Sequence, residues 1–123
     1  MINLYFWVNA LLYCLFALWC TFQKEQTSLA SGFTGINNSG WSEYLVVYGG
    51  LQLGLAAFFL YLALNSELNK AGLIFSLFLY LPIVVYRVVS IYKYWPVSPT
   101  TLAIAGMEIA LLIWVSTLML TKT

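Results

Sequence analysis

Gln52, Arg87 and Glu108 are the residues in this chain whose chemistry is out of place. Each stands within a long run of apolar residues. An ionisable or strongly polar group inside a lipid-soluble segment is costly, so it marks a functional hypothesis by default. An amide, a guanidinium and a carboxylate together can bind a polar headgroup, move a proton or clamp helices to one another. Tyr48 stands four residues before Gln52. On an α-helix these two share a face, which adds a phenol to the set.

Four apolar segments must position these groups. A membrane-spanning helix needs roughly 20 mostly apolar residues. The sequence predicts spans over about 2–22, 44–64, 71–92 and 99–120, separated by a long loop over 23–42 and two short turns. Short links make the second and third spans, and the third and fourth, antiparallel neighbours. The expected fold is an all-α membrane protein, a four-transmembrane-helix antiparallel bundle forming one domain over 1–123. Ser98 is suited to cap the fourth helix, with Pro99 in its first position. The first segment lacks a basic leader and is longer than a signal core, so it is read as an uncleaved helix.

Depths follow from a rise of about 1.5 Å per residue. Below the face that carries the long loop, Gln52 lies roughly 12 Å deep, Glu108 roughly 14 Å and Arg87 roughly 8 Å. Three helices therefore bring polar groups to one level. One reading is a ligand pocket of Tyr48, Gln52, Arg87 and Glu108 opening towards that face. A second is an internal staple, since polar contacts help hold helices together in lipid. A third is that Arg87 snorkels to the headgroups. The long loop is read first as a flexible connector, and the alternative is that its Phe33, Ile36 and Trp41 dip into the interface and lid a pocket. Asn37-Asn38-Ser39 matches a short glycosylation pattern.

Gly49, Gly50 and Gly54 are expected at helix-packing positions, because small residues let backbones approach. Pro82 is expected to kink the third span. Trp19, Trp41, Tyr44, Tyr92, Tyr94 and Trp95 read as an aromatic belt at the loop face, with Tyr5, Trp7 and Tyr61 towards the other.

Composition excludes several classes. Of the 123 residues, 63% are hydrophobic and only 7% charged, too few to cover a water-facing surface. The net charge of +1 offers no basic patch for nucleic acid. There is no histidine, and no metal site or cofactor motif is recognisable. Cys14 and Cys20 read as small apolar packers. No catalytic constellation is recognisable beyond Glu108 as a lone candidate base. Lys24 and Lys93 flank the loop face, and Lys70 and Lys122 flank the face of the termini. The low charge of the long Gly/Ser/Asn-rich loop favours both termini on the cytoplasmic side.

The run Glu43-Tyr44-Leu45-Val46-Val47-Tyr48-Gly49-Gly50-Leu51-Gln52-Leu53-Gly54 resembles the signature of bacterial membrane proteins grouped as the domain-of-unknown-function 4345 family. That family is loosely similar to DoxX-type proteins. Arg87, Glu108 and the Pro96-Val97-Ser98-Pro99 connection also fit its pattern. Leu45 and Val46 stand where the pattern often has an arginine. The resemblance implies a four-helix protein of the bacterial inner membrane and supports the polar set, without implying an activity.

These features favour a non-enzymatic membrane protein that binds a lipid-like or small amphipathic ligand or assists a larger membrane complex. The alternatives are a homodimeric carrier or proton-coupled transporter subunit, joined through Gly50 and Gly54 with Glu108 titrating, and a membrane enzyme using Glu108 and Tyr48.

Overall fold

The computed structural model describes residues 2–122, the side chain of Lys122 excepted. The order of elements is α1 (Ile2–Phe22), α2 (Lys24–Ala30), α3 (Asn38–Tyr44), a π-helical segment (Leu45–Leu51), α4 (Gln52–Leu64), a 3-10 turn (Ser66–Leu68), α5 (Asn69–Lys93) and α6 (Pro99–Lys122). Four stretches are long and apolar enough to cross a membrane: Ile2–Phe22, Asn38–Leu64, Ser66–Lys93 and Pro99–Thr121. The protein is an all-α, multi-pass integral membrane protein with four membrane-spanning helices. Its chain divides into two compact units, Asn3–Ser66 and the residues from Glu67 onwards.

In the first unit, buried residues recur along α1 at three- and four-residue steps: Tyr5 and Phe6, Asn9 and Ala10, Ala17, then Cys20. This spacing keeps one face of a helix turned inward. Rings join that face to α4. Phe6 and Tyr13 lie 6.2 Å and 5.9 Å from Phe59, the latter pair within 3° of parallel. Buried Asn9 donates its amide to the Tyr5 carbonyl at 2.8 Å, which satisfies a donor that lipid cannot. At the other end of α1, Gly49 meets Thr21. A Cβ on Gly49 would stand 2.9 Å from Thr21 Oγ1.

Three sequence expectations change in this unit. The stretch 23–42 is not a continuous loop: α2 forms within it and α3 begins at Asn38. α2 ends in a Schellman motif. Gly32 N–H bonds to the Leu29 carbonyl and Phe33 N–H to the Ser28 carbonyl, with Gly32 at φ +93°. α3 starts because Asn37 caps it, its side chain accepting from Gly40 N–H at 2.8 Å. Second, Tyr44 is buried rather than in an outward belt, and Tyr5 is fully buried; their rings are large enough to serve as core. Third, Gly50 and Gly54 are exposed with nothing within 4 Å of an added Cβ, so the close approach within the chain belongs to Gly49.

The second unit pairs α5 with α6 closely along their length. α5 buries Gly72, Leu73, Ser76 and Tyr80, and α6 buries Ala105, Leu111, Val115 and Leu118. Ser76 donates to the Gly72 carbonyl at 2.8 Å, so this buried hydroxyl is satisfied inside its own helix. α5 runs unbroken through Pro82, which lies on an exposed face. The expected cap of α6 is present: Ser98 Oγ accepts from Thr101 N–H at 3.3 Å and Pro99 is the first helical residue. Tyr92, Tyr94 and Trp95 are exposed at this end, as headgroup-level aromatics should be. The side chain of Lys122, expected at the face of the termini, lies outside the described residues.

Candidate functional site

Arg87 and Glu108 form an ion pair between α5 and α6. Arg87 Nε donates to Glu108 Oε1 at 2.8 Å and Nη2 donates to Oε2 at 3.0 Å. This is the two-pronged geometry in which guanidinium and carboxylate match best. Sequence positions explain it. Glu108 falls on the buried stripe of α6, three residues from both Ala105 and Leu111. Arg87 is seven residues beyond buried Tyr80, two turns along α5. The glutamate side chain is 12% exposed and the arginine side chain 32%. Both carboxylate oxygens already accept from Arg87, so general-base work by Glu108 would first require the pair to open. Ser90 adds a hydroxyl that donates to the Arg87 carbonyl at 2.9 Å.

Tyr48 is placed by different means. The π-helical segment closes its bonds over five residues instead of four, a rare conformation that recurs at functional sites. Tyr44 stands just before this segment, four residues from Tyr48 and on the same helix face, and the two rings stack with centroids 4.5 Å apart. Phe33, delivered by the Schellman turn after α2, sets its ring edgewise at 5.9 Å from both. Tyr44 is anchored from α2. Thr27 Oγ1 donates to the Gln23 carbonyl, so the Tyr44 hydroxyl is the donor in its 2.7 Å contact with Thr27. Trp41 stands edge-on to Tyr44, and Lys24 Nζ sits 5.0 Å over the Trp41 ring.

These rings wall one side of an open cleft of about 400 Å³. Phe33, Ile36, Tyr44, Val47 and Tyr48 supply its apolar lining, and Asn37 and Glu43 its polar rim. Two glycines shape the loop over it. Gly35 takes φ +63°, a left-handed conformation that side-chain-bearing residues avoid. Gly40 leaves room for Ile36, whose Cγ2 would lie 2.7 Å from a Cβ there. The span Asn38–Leu64 has 27 residues, roughly 40 Å of helix against about 30 Å of hydrocarbon, so its ends reach headgroup depth. The cleft sits at the first of those ends.

The four residues singled out in the sequence are divided between the two units, Tyr48 and Gln52 in the first and Arg87 and Glu108 in the second. Tyr48 lines the cleft in the first unit. Gln52 lies just past the π-helical segment, with its Oε1 buried and without a hydrogen-bond partner among the described residues. Arg87 and Glu108 are joined in the second unit. Phe33 and Ile36, expected to overhang a pocket, line the cleft; Trp41 instead backs Tyr44. Sequence reasoning missed Tyr44, Val47 and Glu43 as lining residues. The Gly49-Gly50 pair was the available hint of irregular helix, and the cap at Asn37 was the hint that the helix starts early. Among the described residues, no group of three or more histidine, cysteine or acidic side chains could hold a metal ion. No protein-family model, curated protein or solved structure matches this chain.

Proposed function

We propose that this is a non-enzymatic membrane protein that binds a lipid-like or small amphipathic molecule in the aromatic cleft, with the Arg87–Glu108 pair as a clamp that holds α5 to α6. The observation that carries the reading is the cleft itself. It is apolar inside, polar at the rim, and set where acyl chain gives way to headgroup, which is the profile of an amphipathic ligand. Ligand sites are typically concave and mostly apolar with a few placed polar groups. The closed ion pair supports the clamp role, because its polar capacity is directed between two helices. The resemblance to the domain-of-unknown-function 4345 family, a bacterial inner-membrane location and cytoplasmic termini belong to the same proposal.

Native mass spectrometry of protein gently extracted from its membrane tests it. A small molecule or lipid is expected to co-purify with the wild type and to be lost from Phe33→Ala/Tyr48→Ala, while that variant keeps its helical content. Bare protein in both cases, or equal retention, would overturn the reading.

A second reading rests on one observation. Gly50, Gly54 and Ala57 are all exposed, and nothing lies within 4 Å of a Cβ on either glycine. Small residues at this spacing are a known contact surface between helices in lipid. A homodimer through this face is what a carrier or transporter subunit would require. A monomeric mass in lipid nanodiscs across the accessible concentration range would exclude it.

A further inference from the structure

The cleft also carries a preference of charge. Resting on the binding role proposed above, we propose that its ligand is recognised through an organic ammonium group, the choline- or ethanolamine-type head of a phospholipid. Among the described residues, Glu43 is the only carboxylate in its lining, which holds no lysine or arginine. Glu43 is exposed and makes no hydrogen bond or ion pair among the described residues. Beside it stand Phe33 and Tyr48, whose ring faces are negative and attract a cation within about 6 Å, with buried Tyr44 stacked behind Tyr48. A carboxylate on the rim of an aromatic wall is the arrangement that favours a cation with an apolar shell. An anionic headgroup would meet Glu43 with repulsion and find no cation in the lining.

The same corner of the molecule already shows this contact: Lys24 lies over Trp41. That lysine lies over the ring behind Tyr44, does not line the cleft and forms no ion pair with Glu43. The depth of the cleft, at the headgroup end of a span longer than the hydrocarbon, makes a lipid the expected source of the ammonium group. The volume of about 400 Å³ accommodates a headgroup rather than a whole lipid, whose chains would run down the outside of the helix past exposed Val46 and Leu51.

The test is native mass spectrometry of the full chain in micelles. Phosphatidylcholine, phosphatidylethanolamine and phosphatidylglycerol of identical acyl chains are offered together, then tetramethylammonium chloride is added as competitor. The choline and ethanolamine lipids should be retained about tenfold over the glycerol lipid, the scale of one desolvated cation–ring contact. Glu43→Gln, an isosteric change on an exposed residue, should abolish that preference, bringing retention of the choline and ethanolamine lipids down to that of the glycerol lipid. Tetramethylammonium should displace the retained lipid. If it binds in a Glu43-dependent way while no lipid is retained, the ammonium chemistry stands and its source is a soluble cation. Lipid retention with no headgroup preference, or a preference unchanged by Glu43→Gln, overturns the inference and leaves the binding role intact. No retention of any lipid and no binding of tetramethylammonium overturns both.

Discussion

In Asn3–Ser66 the helices meet through rings. Phe6 and Tyr13 reach Phe59, Tyr44 stacks on Tyr48, and Phe33 closes edgewise over both. From Glu67 onwards the helices meet closely over small and aliphatic residues, locked by one two-pronged ion pair. Rings span distance and leave concavities between them. A charge pair in lipid must fit closely, since each partner stands in for water the other has lost. The difference underlies the proposal that the first unit receives a ligand and the second is clamped. The ring-built unit carries the cleft, a π-helical turn and two glycines at positive φ. The ion-paired unit turns Arg87 and Glu108 on each other and satisfies buried Ser76 within its own helix.

Breaking the pair should have the largest effect. Glu108→Ala or Arg87→Ala leaves a charge uncompensated, at a cost of about 3–5 kcal/mol. Unfolding in mixed micelles should show the loss. The double variant Arg87→Leu/Glu108→Leu should recover most of it, as apolar replacement of a whole pair often does. If the double variant is as weak as the singles, the pair is more than a clamp.

The contact between α1 and the π-helical segment comes next. Gly49→Ala should cost about 1–3 kcal/mol, the usual range for forcing an atom into filled space. Thr21→Ala removes the Oγ1 that a Cβ would meet, so the double variant should be less damaged than the sum of its parts. Strict additivity in a double-mutant cycle would show that Thr21 and Gly49 do not touch.

The cap of α3 is a smaller effect. Asn37→Ala should cost about 1 kcal/mol. Hydrogen exchange should quicken at Gly40, whose N–H loses its acceptor, and leave α5 and α6 unchanged. Quickening spread over both units would contradict their separate construction.

Smallest is the exposed glycine face. Gly50→Leu should change the stability of a monomer by less than about 0.5 kcal/mol, as surface substitutions do. A large destabilisation that depends on protein concentration would reveal a partner on that face.

Much of this was legible in residue order. The four spans follow from apolar length, the start of α6 from Ser98-Pro99, and the level of Arg87 and Glu108 from counting rise per residue. The ion pair was one of the readings that count allowed. The cleft was less visible. A π-helical turn has no fixed residue signature, and four-residue spacing pairs Tyr48 with Tyr44 as well as with Gln52; the ring stack that forms is with Tyr44. The stretch 23–42 looked like a connector because its Gly, Ser and Asn content outweighed the six residues from Lys24 to Leu29. There, capping decides: Gly32 stops one helix and Asn37 starts the next, and between them they carry Phe33 and Ile36 over the cleft.

The most direct test of the division between a receiving unit and a clamped one is native mass spectrometry of three proteins extracted side by side: wild type, Phe33→Ala/Tyr48→Ala and Arg87→Leu/Glu108→Leu. The expected result is a bound amphipathic molecule on the wild type and on the Arg87/Glu108 variant, and its loss from the Phe33/Tyr48 variant. Loss from the Arg87/Glu108 variant with retention on the Phe33/Tyr48 variant would contradict it and move the binding site to the ion pair.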